Sequence, residues 1–347
     1  MTKPVLIMDQ HFRRVEELFD DATLARLKSI CDVVGAQNHP MEKEALQDHM
    51  ATADFLVAAR PHVSAADLAA APNLKAVIEV SGAFHGEIDY AACLDRGVEV
   101  LSCSPGFRRS VAEMGLAMIL AGGRGLIAEH EAFRRGTERW LDDRDESDFT
   151  LFHQSIGFVG YGNIARELHR LIAPFSPKVS FYDPWVDATL DAAKAETLDA
   201  IFAKNRIVVV TATPTSENRH AIGEAEVAAL QDGSLLVLLG RAHVMDFDPV
   251  LAEAKTGRIT FATDVFPSEP VPSDHPLRLQ PNVILSPHRA AAVPGGRHLI
   301  GEMILHDIEA MQAGRTERML QAVDPARVAA LVAAQEAIEA DGRLPNT

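Results

Sequence analysis

The sequence predicts an α/β protein made of two doubly wound, parallel-sheet domains, and three observations predict it. Short apolar runs alternate with amphipathic, helix-like stretches through the first hundred residues. The same alternation restarts at Ser155. The restart is marked by a glycine turn between a strand-like run and a helix start. Alternation of this kind implies parallel strands joined by helical crossovers. At 347 residues the chain suits about two domains with ample core.

Taken in order, the opening Met-Thr-Lys-Pro-Val-Leu-Ile-Met has a short apolar run leading into Asp9, which reads as a first strand (Val5–Met8) and not as a signal peptide. Arg13–Ser29 is amphipathic and reads as a helix. Phe55–Ala58 is a short strand, followed by the helix start Ser64-Ala-Ala-Asp-Leu. Leu74–Val80 and Val98–Ser102 are further strands. Ser110–Leu120 is a helix in which Ser110 and Glu113 have the spacing of a capping box. From Arg134 to Ser147 the chain is charge-dense and aperiodic, as in a surface arm, with Trp140 as its large aromatic residue. After Ser155 the strands are Val179–Asp183, Ile207–Thr211, Ser234–Leu239, Ile259–Thr263 and Val283–Leu285. Helices are expected at Ile164–Ile172, Leu198–Lys204, Glu224–Leu230 and Asp248–Thr256, then from Arg297 to Met311 and near Pro325–Glu339.

The glycine turn is the richest signal. In Ser155-Ile-Gly-Phe-Val-Gly-Tyr-Gly-Asn-Ile-Ala165, the residues Gly160, Gly162 and Ala165 fill the G-x-G-x-x-A form of the dinucleotide fingerprint. Gly160 permits the turn, Gly162 permits close approach of a pyrophosphate, and Ala165 lets the helix pack on the strand. The helix start at Tyr161, Asn163 and Ile164 aims amides and a positive dipole end at the phosphates. Asp183 ends the next strand, 23 residues after Gly160. Its carboxylate would accept both ribose hydroxyls and repel a 2′-phosphate, which favours NAD over NADP. Both domains are therefore read as Rossmann-like.

Net charge is −16, from 33 basic and 49 acidic residues, which argues against nucleic acid or an anionic membrane as partner. Hydrophobic content is 47%, as in a globular protein, with no apolar stretch of membrane-span length. Three cysteines are too few and scattered for a disulfide framework, and a reduced, cytoplasmic setting fits. No Cys/His/carboxylate cluster has metal-ligand spacing, so no metal is expected.

A nicotinamide enzyme acting on a carbonyl needs a proton donor and a cation that polarises the substrate. Ligands of open α/β sheets sit beyond the carboxyl ends of strands. Three residues stand there: Arg241 after Leu235–Gly240, Glu269 after the run from Phe261, and His288 after Val283–Pro287. A guanidinium can hold a carboxylate by two parallel bonds. A histidine at a strand end suits acid–base work.

The set Gly160-x-Gly162-x-x-Ala165, Asp183, Arg241, Asp264-Val-Phe-Pro-Ser-Glu269-Pro270 and Ser286-Pro-His288 resembles the D-isomer-specific 2-hydroxyacid dehydrogenase family. Ala71-Pro-Asn-Leu-Lys75, Ser104-Pro-Gly106, Val111-Ala-Glu113, Thr213-Pro-Thr-Ser-Glu-Asn-Arg219 and Asp274-His-Pro-Leu277 add to the resemblance, which spans about residues 5–312. It implies an NAD-dependent oxidoreductase that moves a hydride between the cofactor and a 2-hydroxy acid/2-oxo acid pair, with the D-isomer as the hydroxy acid. It implies that Arg241 binds the substrate carboxylate and keto oxygen, that His288 exchanges the proton, and that Glu269 pairs with His288 and orients it. Asp264 would lie near the nicotinamide, with Thr213 and Pro214 also at the cofactor. Ser81, Gly82 and Ala83 would meet the substrate. A Glu at 269 argues against the formate dehydrogenase branch, which has Gln there.

The resemblance also implies a discontinuous substrate domain, residues 1–105 plus 292–347, around an NAD domain at 106–291, with an active-site cleft between them. It implies a homodimer built through the NAD domain. Trp140 would then be a dimer contact or would pack within its own subunit. Departures concern the substrate. The loop reads Gly82-Ala-Phe84-His85-Gly86-Glu87-Ile-Asp89, with Phe84 in place of a glycine. His85 either adds a donor or is an ordinary loop histidine. Arg108 and Arg109 either receive a second anionic group or form salt bridges in this acidic chain. Two alternatives stay open. One is an enzyme resembling D-3-phosphoglycerate dehydrogenase, with Arg60, Arg108 and Arg109 as phosphate ligands. The other is a non-enzymatic NAD(H) sensor resembling corepressors.

Overall fold

The computed structural model describes residues 3–10, 13–141, 148–187, 189, 192–195 and 197–340. The chain forms two compact units. The first is assembled from both ends of the chain, Met1–Arg108 and Ala291–Ala340; the second is the continuous segment Arg109–Ala290. The first unit opens with β1 (Val5–Asp9), β2 (Asp32–Gly35), β3 (Phe55–Ala58), β4 (Ala76–Glu79) and β5 (Glu99–Ser102). The second contains β6 (Ser155–Val159), β7 (Lys178–Tyr182), β8 (Ala193–Lys194), β9 (Ile207–Val210), β10 (Ser234–Leu238), β11 (Ile259–Thr263) and β12 (Val283–Leu285). The chain then returns to the first unit for β13 (Gln321–Ala322).

The first sheet runs β13-β5-β4-β3-β1-β2. Its neighbours are parallel, except that β13 lies antiparallel on β5. The order 2-1-3-4-5 of the first five strands is the flavodoxin-like form of double winding. The central strands are mostly apolar because both faces are covered. Leu6, Met8, Phe55 and Val57 face a core completed by Ile300, Met303 and Ile304 of the His298–Gln312 helix. The intervening Ile7 and Leu56 face another core with Leu68, Cys93 and Val328.

The second sheet runs β12-β11-β10-β9-β6-β7-β8, all parallel. The chain winds outward from β6 to β8, then crosses back to β9 and continues to β12. Where it reverses, between β6 and β9, lies the switch point beyond whose carboxyl ends ligands bind. The glycine turn follows β6.

Several expectations need correction. The single helix over Arg13–Ser29 is two, Val15–Leu18 and Asp21–Ile30. Phe19 between them is extended, and Asp20 caps the second helix by accepting the Thr23 N–H at 2.7 Å. Ser110 is not a cap. Its helix, Arg108–Gly123, starts directly after the 3-10 turn Ser104–Phe107, so Ser110 is buried in the first turn. Pro105, which suits a helix start, sets the entry earlier. The Ser64 signal holds, with a capping box to Asp67. The supposed aperiodic arm begins inside a helix, Leu126–Arg135, that ends at left-handed Gly136. The rest of that arm, 142–147, lies outside the described residues, as do Met1, Thr2 and the tail at 341–347.

Candidate active site

In the second unit, the chain leaves β6 and turns at Gly160, with φ +82°. A Cβ there would lie 2.5 Å from Ala212 Cα and 2.6 Å from its nitrogen, so only glycine fits. Gly162 is the opposite case, since a Cβ there would meet nothing within 4 Å. It is the N-cap of the Asn163–Ile172 helix and supplies no capping side chain. The amides at Asn163 and Ile164 thus begin a helix whose positive end lacks a capping side chain, a setting that favours an anion. Ala165 is fully buried, as close packing of helix on strand requires.

Tyr161 turns its ring inward, stacked on Phe181 at 4.4 Å, with its hydroxyl 2.6 Å from His169 Nδ1. Its N–H donates to Asp183 Oδ2 at 2.7 Å, and the Trp185 N–H donates to Asp183 Oδ1 at 2.8 Å. Asp183 therefore holds the glycine turn as well as standing at the end of β7. Each carboxylate oxygen has room for a second donor. Across the switch point, Thr211 Oγ1 donates to the Gly160 carbonyl at 2.9 Å, and the Thr213 carbonyl, beside Pro214, accepts from Asn218 Nδ2 at 2.9 Å. Open space at Gly162, a helix start without a cap and an acid on the neighbouring strand together fit a dinucleotide.

Further along the same sheet, Glu269 Oε2 lies 2.6 Å from His288 Nδ1, and Glu269 Oε1 accepts the Phe266 N–H at 2.8 Å. A carboxylate has no proton to give, so Nδ1 is the donor and Nε2 is left for reaction. His288 is about one-third exposed, whereas Glu269 is mostly buried. Arg241 begins just beyond β10, and its Nη1 donates to the Gly240 carbonyl at 3.0 Å. Burial pushes its guanidinium below the usual range, while the negative charges of Glu269 and Asp264 pull it back up. Arg241 thus stands in the field of Glu269, which holds His288, and of Asp264.

Asp264, expected near the nicotinamide, has partners within the protein. It is buried, and its carboxylate accepts from Ser286 Oγ and from the N–H groups of Arg289 and Ala290, both at 2.9 Å. Asp264 ties down the loop on both sides of His288. That loop carries His288 at φ +49°, which a non-glycine residue rarely adopts.

Ser81, Gly82 and Ala83 lie in the first unit, after β4. Their amides are engaged within the loop. Ser81 N–H and Gly82 N–H both donate to Glu79 Oε2 at 2.9 Å, and Ala83 N–H reaches Ser81 Oγ at 3.3 Å. Glu79 is fully buried and is not among the residues that sequence reasoning selects. Its signal is a carboxylate inside the apolar run Ala76–Val80, which is rare without a paired role. His85 is not a solvated loop residue: it is 3% exposed, with Nε2 2.8 Å from Ser81 Oγ. Arg60 pairs with Glu339 at 3.0 Å. Arg108 makes no salt bridge among the described residues; it donates to the Pro105 carbonyl at 2.9 Å.

Comparison with known proteins bears on family and fold. Residues 116–290, half of the chain, match the NAD-binding domain of the D-isomer specific 2-hydroxyacid dehydrogenases. The chain is 29% identical to a glyoxylate reductase of Thermofilum pendens over 311 residues, covering 86% of this chain and 91% of that protein. It is 27% identical over 264 residues to a D-3-phosphoglycerate dehydrogenase of Archaeoglobus fulgidus, covering 75% of this chain but only 49% of that one. The solved structure of a phosphoglycerate oxidoreductase from Rhizobium etli superposes with a TM-score of 0.83 at 29% identity, covering 93% of this chain and 99% of that one. With half its length matching the family and its fold shared over 93% of the chain, the chain belongs to the D-isomer specific 2-hydroxyacid dehydrogenases.

Proposed function

We propose that this protein is an NAD-dependent D-2-hydroxyacid dehydrogenase in which Arg241, Glu269 and His288 carry the chemistry. The observation that supports it most directly is the 2.6 Å Glu269–His288 pair, with Arg241 in the field of the same Glu269. Bound NAD(H) supplies the hydride acceptor or donor. Gly160, Gly162, the amides of Asn163 and Ile164, and Thr213 and Pro214 hold it, with Asp183, braced by the Tyr161 amide, at the ribose. Arg241 holds the substrate carboxylate and draws negative charge onto the 2-oxygen. His288 Nε2 takes the hydroxyl proton in oxidation and returns it in reduction. Glu269 fixes the ring and balances the charge that the imidazole gains. Asp264 keeps the loop in place. Ser81, Gly82 and Ala83 form the substrate loop.

Two further assignments belong to the same reading. The protein is a homodimer through the second unit, whose exposed Leu126, Ile127, Phe133, Trp140 and Leu141 cluster on and just after one helix. It works in the cytoplasm, where its three free cysteines stay reduced.

The test is an NADH-oxidation screen over glyoxylate, pyruvate, hydroxypyruvate, longer 2-oxo acids and phosphohydroxypyruvate, with His288→Ala as control. Turnover by the parent and its loss in the variant, with NADH binding kept, is the expected result. NADH binding without turnover of any 2-oxo acid would instead favour a sensor. A phosphorylated substrate is the second reading, suggested by the names of two relatives. The pairing of Arg60 with Glu339 weighs against it.

A further inference from the structure

The Val328–Ala340 helix takes no part in the assignments above. It docks on the first unit, with Val328 in the core and Leu331 and Val332 packed against it. Its last turn brings a carboxylate to the substrate loop. Glu339 Oε1 lies 3.0 Å from Arg60 Nη2 and 3.5 Å from His85 Nδ1, and it accepts from Gln335 Nε2 at 2.8 Å. The other nitrogen of the His85 ring is 2.8 Å from Ser81 Oγ, which donates to Glu79 Oε2 at 2.7 Å. His85 is buried, and its own carbonyl is held by the Tyr90 hydroxyl at 2.7 Å, so the ring has little freedom to turn elsewhere. Arg60 and the Ser81–His85 loop follow β3 and β4, which are adjacent and parallel. They therefore share the carboxyl edge at which α/β sheets take ligands.

We propose that Glu339 is a positioning residue for the substrate loop. Anchored by Arg60, its carboxylate holds the His85 ring. The ring in turn holds Ser81, and Glu79 grips the same serine and the Gly82 amide from below. The loop is thus set from two sides, one of them supplied by the last helix of the chain. A second consequence concerns selectivity. Arg60 is already matched by a carboxylate, so a second anionic group on the substrate would have to displace Glu339 to reach it. This inference rests on the assignment of Ser81–Ala83 to the substrate in the proposed function.

Two measurements on the full-length protein test it separately from that function. Amide hydrogen exchange over residues 81–86 reads the relay directly. Glu339→Ala should speed exchange there and leave the strands of the second unit unchanged. Unchanged exchange in the 81–86 loop overturns the proposal, whether or not the parent is active. Steady-state kinetics with the best 2-oxo acid read the consequence. Glu339→Ala should raise KM about tenfold while kcat and NADH affinity hold within about twofold. Glu339→Gln keeps the length and the acceptor oxygen, so it should recover most of the parent KM. In a cycle with His85→Asn, the double variant should be no worse than His85→Asn alone, because the two residues act in series. Additive effects, or equal losses in kcat and KM with no recovery in Glu339→Gln, would show a merely structural role. A parent that turns over no 2-oxo acid would defeat the functional reading and leave exchange to judge the relay.

Discussion

His288 combines a left-handed backbone with a bond to Glu269, and its two following amides are fixed by Asp264. Such strain persists only where surroundings over-determine it, and it collects at functional sites. The three residues proposed to carry the chemistry were singled out in the sequence because each follows a strand, Glu269 at six residues past β11. The work of Asp264 and Glu79 was not. Their partners are backbone amides and serine hydroxyls, and no residue type announces an amide. Arg241→Lys keeps the charge but loses the planar fork, so kcat/KM should fall by about a hundredfold or more with NADH affinity nearly unchanged. Parent-like turnover would place the substrate carboxylate elsewhere. Asp183→Ala should narrow the preference for NADH over NADPH, as judged by kcat/KM with each cofactor. It should also weaken NADH binding, because the Tyr161 and Trp185 amides lose their acceptor. The buried thiols behave differently. Desolvation, helped by nearby Asp54 and Asp32, pushes Cys31 up to about 11, and desolvation with Asp89 does the same for Cys93. A raised thiol stays protonated at neutral pH, and the thiolate is the nucleophile. Iodoacetamide should therefore label neither residue in the folded protein near pH 8, and both in denaturant, by mass spectrometry.

At the scale of elements, the interior strands were legible and three of the four edge strands were not. β3 and β11 match their expected bounds as interior strands that are almost wholly buried; β12 matches too, although it is an edge strand, because Val-Ile-Leu is wholly apolar. β2, β8 and β13 were missed. They are short edge strands reading Asp-Val-Val-Gly, Ala-Lys and Gln-Ala, with few apolar residues to mark them. The helices Lys43–Met50, Tyr90–Asp95 and Leu126–Arg135 were also missed, the last two being short or largely exposed. The glycine turn makes the firmest prediction here. In Gly160→Ala the new methyl would meet Ala212 backbone, which cannot swing aside, at a positive φ. Overpacking costs about 1–3 kcal/mol and the left-handed conformation about 1–2 more, so Tm should drop by several degrees. NADH binding should be lost before folding is. A variant with parent-like Tm and NADH affinity would mean that the β6–β9 approach is looser than the structure has it.

At the scale of the whole molecule, the alternation of strands and helices announced two sheets, but not that their orders differ. One is flavodoxin-like, and the other has the dinucleotide-binding order with its switch point at β6 and β9. Strand order depends on which edge each crossover returns to, and local sequence does not encode that. Phe133 and Trp140 are 61% and 74% exposed, and they touch each other edge to face at 6.2 Å. A large exposed apolar cluster marks an interaction surface. Replacing both with Glu should convert a dimer to a monomer in light scattering while leaving each subunit folded. A parent that is monomeric at micromolar concentration, or a variant that stays dimeric, would remove this face from consideration.

The first unit is assembled from segments at both ends of the chain, with the whole second unit between them. On the ribosome this sets an order of events. Domains fold as they emerge, N-terminal parts first, at about 5–20 residues per second. Here β1 to β5 leave the tunnel before the His298–Gln312 helix that covers Leu6, Met8, Phe55 and Val57 has been translated. That face of the nascent sheet stays uncovered while the second unit is synthesised and folds. The organism must either shelter the waiting strands or translate the insertion quickly enough to outrun their aggregation.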